Sequence, residues 1–235
     1  MLDGEQEFLF VSGAGRTRTT VVAWLLNLHP EVHICYESEF PLGFYNLLHP
    51  PVPPTDAGAR YKLTWQKTGE QTPHELSLGL HMMRRCWLAQ WCATPGTERT
   101  GNELVAGFCE AVKNIWPEMR YVGDKAIAYM DNWYIVREML PTSKFIFAAR
   151  DFNDTVDSWK RQPWCTDPDA VVDSIKNRLK TARECPGGFW LDTDELEKDP
   201  EGCLQGMFDW LDLSMRDYDM EVAVRQIVNP KRKVS

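Results

Sequence analysis

The stretch Phe8-Leu9-Phe10-Val11-Ser12-Gly13-Ala14-Gly15-Arg16-Thr17-Arg18-Thr19-Thr20 constrains this chain more than any other. An apolar β-type run empties into a glycine-bearing turn, and the turn opens an apolar helix from about Thr19 to Leu28. Strand, glycine turn and helix N-terminus together make an anion site. Glycines let backbone approach a ligand, and the free N–H groups of the first helical turn point at it. Thr19 and Thr20 add hydroxyl donors, and Arg16 and Arg18 add positive charge. A phosphate-bearing ligand is the leading inference. The competing reading is an ordinary strand-to-helix turn, with Gly for geometry and a threonine N-cap.

The letters narrow the ligand. A Walker A loop needs a Gly-Lys pair, with Lys on the β/γ-phosphates and a hydroxyl on Mg²⁺; Arg-Thr-Arg-Thr-Thr stands there instead. A dinucleotide G-x-G-x-x-G fingerprint fails because its third position is Arg18.

With 235 residues, 43% of them hydrophobic, the chain suits one domain spanning 1–235 with a substantial core. A net charge of -8 disfavours a nucleic-acid surface, so an anionic ligand needs a local basic pocket. The seven cysteines form no C-x-x-C pair, which suits free thiols in a reducing compartment and no zinc site. No apolar run reaches the length of a membrane span. The ligand loop begins at Gly13, so no leader is expected before it, and the default location is cytoplasmic.

Along the chain, strands are predicted at Phe8–Val11, Val32–Tyr36, Tyr121–Gly123, Lys144–Ala149 and Gly188–Asp192. Helices are predicted at Leu42–Leu48, Glu75–Trp91, Asn102–Trp116, Asp131–Leu140, Asn153–Arg161 and Val171–Glu184. Two more are predicted, one opening at Asp199-Pro200 and one over Asp219–Ile227. Most Trp, Phe and Met positions read as core, and His33, His49, His74 and His81 carry no partner pattern. The His49-to-Pro54 run is a loop, a candidate lid or acceptor wall. Alternating strands and helices predict a three-layer α/β/α fold around a mostly parallel sheet, with ligands beyond the strand C-terminal ends. Glu37, Lys125 and Arg150 all fall at such ends.

Three blocks resemble one family. Val11 to Thr20, followed by His29-Pro30-Glu31-Val32, resembles the 5′-phosphosulfate loop and following helix of sulfotransferases. Phe145 to Ser158 is similar to the family's 3′-phosphate motif, a strand, Arg-Asp-Pro, and a Ser eight positions after the Arg; Arg150 and Ser158 keep that spacing. Gly123-Asp124-Lys125 is similar to a Lys-bearing element found in many members, and Leu191 to Pro200 is a weaker likeness to a Tyr-Glu-Asp-Leu…Asp-Pro stretch. The likeness spreads over roughly residues 7 to 213 and leans toward the carbohydrate, tyrosyl-protein and bacterial branch, because Glu37 stands where that branch carries a catalytic carboxylate. Two letters depart: Arg18 replaces the loop's central Gly, and Phe152 replaces Pro.

The resemblance implies a P-loop NTPase-like sulfotransferase fold. It also implies transfer of a sulfuryl group from 3′-phosphoadenosine-5′-phosphosulfate (PAPS) to a hydroxyl or amine, leaving 3′,5′-adenosine bisphosphate, with no metal. Gly13, Ala14, Gly15, Arg16, Thr17, Arg18, Thr19 and Thr20 would hold the 5′-phosphosulfate, and Arg150 and Ser158 the 3′-phosphate. Arg16 and Lys125 would neutralise the leaving group, and Glu37 would take the acceptor's proton, with Glu39 the second choice. The acceptor would be a small molecule, sugar or peptide.

Plainer readings stand beside these. Glu37 can be a solvated loop acid, Lys125 a surface lysine, and Arg150 an ion-pair partner of Asp151 or Asp154. Two other functions compete. A kinase-like phosphotransferase lacks its Gly-Lys, and a non-catalytic nucleotide-binding relative would follow if Arg18 spoils the loop.

Overall fold

Alternation along one central strand decides how the sheet is covered. The computed structural model describes residues 6–37, 39, 41–42, 109–110, 112–163, 165 and 167–228. In it β1 (Glu7–Gly13) is buried from Phe8 onward. Side chains alternate across a strand, so Phe8 and Phe10 enter one apolar cluster while Leu9 and Val11 enter another. A strand buried on both faces needs a covering layer on each.

Four more strands join it: β2 (Val32–Tyr36), β3 (Tyr121–Lys125), β4 (Lys144–Ala149) and β5 (Phe189–Asp192). Their order is β2-β3-β1-β4-β5, and every neighbouring pair is parallel. On one face α2 (Tyr129–Met139) and α4 (Pro168–Arg183) bring Val136, Ile175 and Ala182 against Phe10, Phe145 and Phe147. On the other, α1 (Thr19–Leu26), α6 (Pro200–Leu211) and α7 (Met220–Val228) cover Leu9, Val11 and Ile146 with Leu25, Phe208 and Ala223. Two further helices follow β4 and β5, α3 (Phe152–Lys160) and α5 (Glu195–Lys198). The expected three-layer α/β/α architecture is the one observed.

Register sets where the strands end. Val11 lies opposite Lys125, Lys125 opposite Tyr36, Gly13 opposite Ala148, and Ala149 opposite Asp192. The segments after all five strands therefore leave the sheet at one edge. β1 and β3 approach closely at Gly123, where a Cβ would fall 1.6 Å from the Leu9 carbonyl oxygen.

The His-Pro pair does structural work. His29 Nδ1 accepts from the Glu31 N–H at 3.1 Å, leaving Nε2 to donate to the Ser214 carbonyl at 2.9 Å. This ring, 2% exposed and 5.2 Å from Phe208, ties the end of α1 to the turn after α6.

Several boundaries move from their expected places. α1 stops at Leu26 rather than Leu28, because the Asn27 side chain leaves the helix to bond both the N–H and the carbonyl of Ile34. β3 continues through Asp124 and Lys125, both paired in the ladder. α5 was not expected; four residues are too few for a helical repeat to be read. The predicted helix over 102–116 is helical at 109–110 and 112–115 and stops before Trp116, with 102–108 and 111 lying outside the described residues. The 43–48, 49–54 and 75–91 segments, the loops near 49–60 and 94–101, Cys86, Cys92 and the 231–233 tail also lie outside them.

Among the described residues Cys35, Cys109, Cys165, Cys185 and Cys203 are free thiols. Burial pushes the Cys109 thiol up to about 11, which keeps it protonated. No helix among them is long and apolar enough to cross a membrane.

Candidate functional site

The turn from β1 into α1 is held open by a left-handed backbone. Gly15, Arg16 and Arg18 have φ of 80°, 59° and 60°. Arg18 is the N-cap of α1: its carbonyl accepts from the Val21 and Val22 N–H groups at 2.9 and 3.1 Å, but no side chain caps the helix. No acidic residue lies in the first turn either. An α-helix leaves its first N–H groups without intrahelical partners, and here nothing from a cap satisfies them. Thr17, 2% exposed, has an Oγ1 with no hydrogen-bond partner among the described residues. An uncapped helix end, an orphaned buried hydroxyl and the exposed Arg16 fit an anionic group.

Gly15 meets a second constraint besides its left-handed φ. A Cβ on it would sit 2.5 Å from the Trp159 ring, whose Nε1 donates to the Ala14 carbonyl at 3.2 Å. The glycine makes room for an indole. Next to it, Arg16 Nε donates to Ser158 Oγ at 3.2 Å, so α3 touches the loop through two successive residues.

At the ends of β2 and β3, Lys125 and Glu37 form one pair. Lys125 Nζ donates to Glu37 Oε1 at 2.6 Å; the lysine side chain is 4% exposed and the glutamate 51%. The ammonium also lies 5.8 Å from the centre of the Tyr36 ring. Beneath them Asp124, fully buried, accepts from the Tyr129 hydroxyl at 2.6 Å and from the Glu39 N–H at 2.9 Å. Glu37 and Glu39 have φ of 52° and 48°, so the chain after β2 makes a left-handed corner that Asp124 pins. The surface-lysine reading of Lys125 does not describe this residue.

Arg150, just beyond β4, is paired twice. Its Nε donates to Asp194 Oδ1 at 3.1 Å and its Nη2 to Asp154 Oδ2 at 3.0 Å. The ion-pair reading of Arg150 therefore holds for Asp154, while Asp151 caps α3 by accepting from the Asp154 N–H. Burial raises the Asp194 carboxyl, but the Asp151 N–H and Arg150 outweigh it and hold it below the ordinary carboxylate value. Arg18 is paired as well, with Glu197 of α5.

The structure thus brings Arg16 to Ser158 and Lys125 to Glu37, and Gly13 through Thr20 run from the end of β1 through the turn into α1 at the same sheet edge. Sequence reasoning missed Asp194, Glu197 and Trp159. Asp194 had a signal, lying in the Leu191-to-Pro200 stretch already singled out. Trp159 had none beyond its place after Ser158. No cluster of His, Cys, Asp and Glu able to hold a metal occurs among the described residues.

Comparison with known proteins bears on the family and the fold. The model of the sulfotransferase family matches residues 9–181. A sulfotransferase domain from the Synechococcus PCC 7002 olefin synthase superposes with a TM-score of 0.54 at 17% identity, covering 98% of this chain and 78% of that one. Sulfotransferase STF9 from Mycobacterium avium gives 0.53 at 15% identity, covering 97% and 69%. A sulfotransferase domain from the curacin biosynthetic pathway gives 0.52 at 14% identity, covering 98% and 79%. At these identities the likeness is one of fold. No curated protein matches in sequence.

Proposed function

This chain belongs to the sulfotransferase family, and from that premise we propose that it transfers a sulfuryl group from PAPS to a hydroxyl or amine acceptor. The observation that carries the reading is the uncapped, acid-free N-terminus of α1 with the orphaned Thr17 hydroxyl beside it. When bound, PAPS supplies the sulfuryl group and departs as adenosine 3′,5′-bisphosphate.

The chain's own residues have separable tasks. Backbone N–H groups of 13–20, with the Thr17, Thr19 and Thr20 hydroxyls, hold the 5′-phosphosulfate; Arg18 contributes through its backbone, since its guanidinium is engaged by Glu197. Arg150 and Ser158 hold the 3′-phosphate. Lys125 Nζ and Arg16 counter negative charge growing at the bridging oxygen, and positioned charges of this kind supply much of the rate in group transfer. Glu37 is the base. Oε1 is engaged by Lys125, leaving Oε2 to receive the acceptor's proton.

The acceptor is a small molecule, sugar or peptide presenting a hydroxyl or amine. Scattered free thiols support action in a reducing compartment such as the cytoplasm.

Calorimetric titration with adenosine 3′,5′-bisphosphate tests the reading, with ATP plus Mg²⁺ as the control. Binding of the bisphosphate that Arg150→Ala abolishes, with no binding of ATP, is the expected result. ATP binding in place of the bisphosphate would overturn it in favour of a kinase-like activity. Bisphosphate binding combined with PAPS turnover that ignores Glu37→Ala would remove Glu37 as the base.

A further inference from the structure

The two carboxylates on Arg150 differ in how firmly they are held. Asp194 uses both oxygens: Oδ1 accepts from Arg150 Nε at 3.1 Å and Oδ2 from the Asp151 N–H at 2.9 Å. Its own N–H donates to Asp192 Oδ1 at 2.9 Å, closing a turn at the end of β5, and its side chain is 29% exposed. Asp154 makes a single bond to Arg150 Nη2, from a side chain 56% exposed. Both occupy the Nε and Nη2 positions, so Nη1 has no partner among the described residues.

A guanidinium offers its donors in a fixed planar fork, so holding Nε sets the direction of the remaining edge. A side chain ordered before the ligand arrives loses less freedom when it binds. The charge balance points the same way: one cation between two carboxylates has no net attraction for a phosphate until one carboxylate withdraws. The one that can leave cheaply is half in water and tied once. That is Asp154.

We infer that Asp194 is a positioning residue that sets Arg150 to recognise the nucleotide's 3′-phosphate, and that Asp154 is the carboxylate this phosphate displaces. The inference rests on the PAPS reading above and adds to it the source of selectivity for a 3′-phosphorylated nucleotide. Asp194 acts through Arg150 and touches no reacting atom.

The test compares adenosine 3′,5′-bisphosphate with adenosine 5′-monophosphate by calorimetry, on wild type, Asp194→Asn and Asp154→Asn. Wild type is expected to prefer the bisphosphate. Asp194→Asn should weaken the bisphosphate about tenfold or more and move the monophosphate less than about twofold, the pattern of a group acting on one phosphate. Asp154→Asn should bind the bisphosphate as tightly as wild type or more tightly. Should Asp194→Asn fail to fold, Asp194→Glu keeps the charge, displaces it by one methylene and reads the same ratio. Equal weakening of both nucleotides would assign Asp194 a purely structural role, and an unchanged ratio would assign it none; either overturns the inference. Loss of bisphosphate affinity in Asp154→Asn would overturn the displacement. A wild-type protein that binds both nucleotides equally would overturn the PAPS reading itself, and the inference with it.

Discussion

The Lys125–Glu37 pair should respond unequally to the loss of its two ends. The ammonium is buried and the carboxylate half exposed, at 4% and 51%. Glu37→Gln leaves a buried cation with a neutral partner. Removing one member of a fully buried pair costs about 3–5 kcal/mol, and a hydrogen bond to a charged group is worth about 1.5–3 kcal/mol. Water reaches the Glu37 side of this pair, so the lower end applies and a loss of roughly 1.5–2 kcal/mol is expected. In a chain of this size that lowers Tm by roughly 3–8 °C. Lys125→Met keeps the aliphatic stem, removes the charge and lets Glu37 return to water. Its stability should stay within about 1 kcal/mol of wild type, while sulfuryl transfer falls by about 10²-fold or more. The double variant should recover the stability lost in Glu37→Gln. Urea denaturation of wild type, both single variants and the double variant reads the stabilities as one cycle, and turnover of PAPS reads the activity. Equal destabilisation by the two single changes would refute the reasoning, because the asymmetry follows only from where the charge is buried.

Gly15→Ala would place a methyl 2.5 Å from the Trp159 ring at a φ of 80°, and should cost about 1–3 kcal/mol by denaturation with weakened bisphosphate binding; a neutral result would mean that the indole moves aside freely. Arg18→Gly relieves a left-handed residue but frees Glu197 and loosens the unfolded chain, so stability should shift by less than about 1 kcal/mol with nucleotide affinity kept. A tenfold loss of affinity would show that the Arg18 side chain itself holds the nucleotide. His33, stacked 4.6 Å from Trp116 with Nε2 unpartnered among the described residues, has its pKa lowered from 6.5 by burial. The unfolded state then binds the proton first, so the contribution of neutral His33 is present above pH 6.5 and lost as pH falls through the folded value. Urea midpoints from pH 7.5 to 5 should fall in wild type more than in His33→Phe, and parallel slopes would exclude His33 as the source.

Much of the fold was legible because its signals are local. β2 and β4 appear where alternation and apolar runs predicted them, and Pro200 opens α6 at its first turn as expected. α5 escaped because four residues carry no periodicity, and the early end of α1 escaped because it depends on Asn27 reaching Ile34 on another element. The site was legible only as a set of residue types at strand ends. Its pairings were not.

The order of apolar strand, glycine turn, threonines and helix, with further strands alternating with helices, determined by itself a parallel layered sheet with a strand-to-helix glycine turn at its edge. Backbone geometry and burial of alternate side chains act over a few residues, so the letters suffice for that much. The tertiary structure decided the chemistry of the edge. Parallel register ends β2 and β3 together and so joins Glu37 to Lys125 across 88 positions. It ends β4 beside β5 and so joins Arg150 to Asp194 across 44. Packing of α3 against the loop turned Gly15 into a seat for Trp159. Which carboxylate meets which cation is settled by strand order and burial, and only the folded chain brings those distant residues within a hydrogen bond of each other.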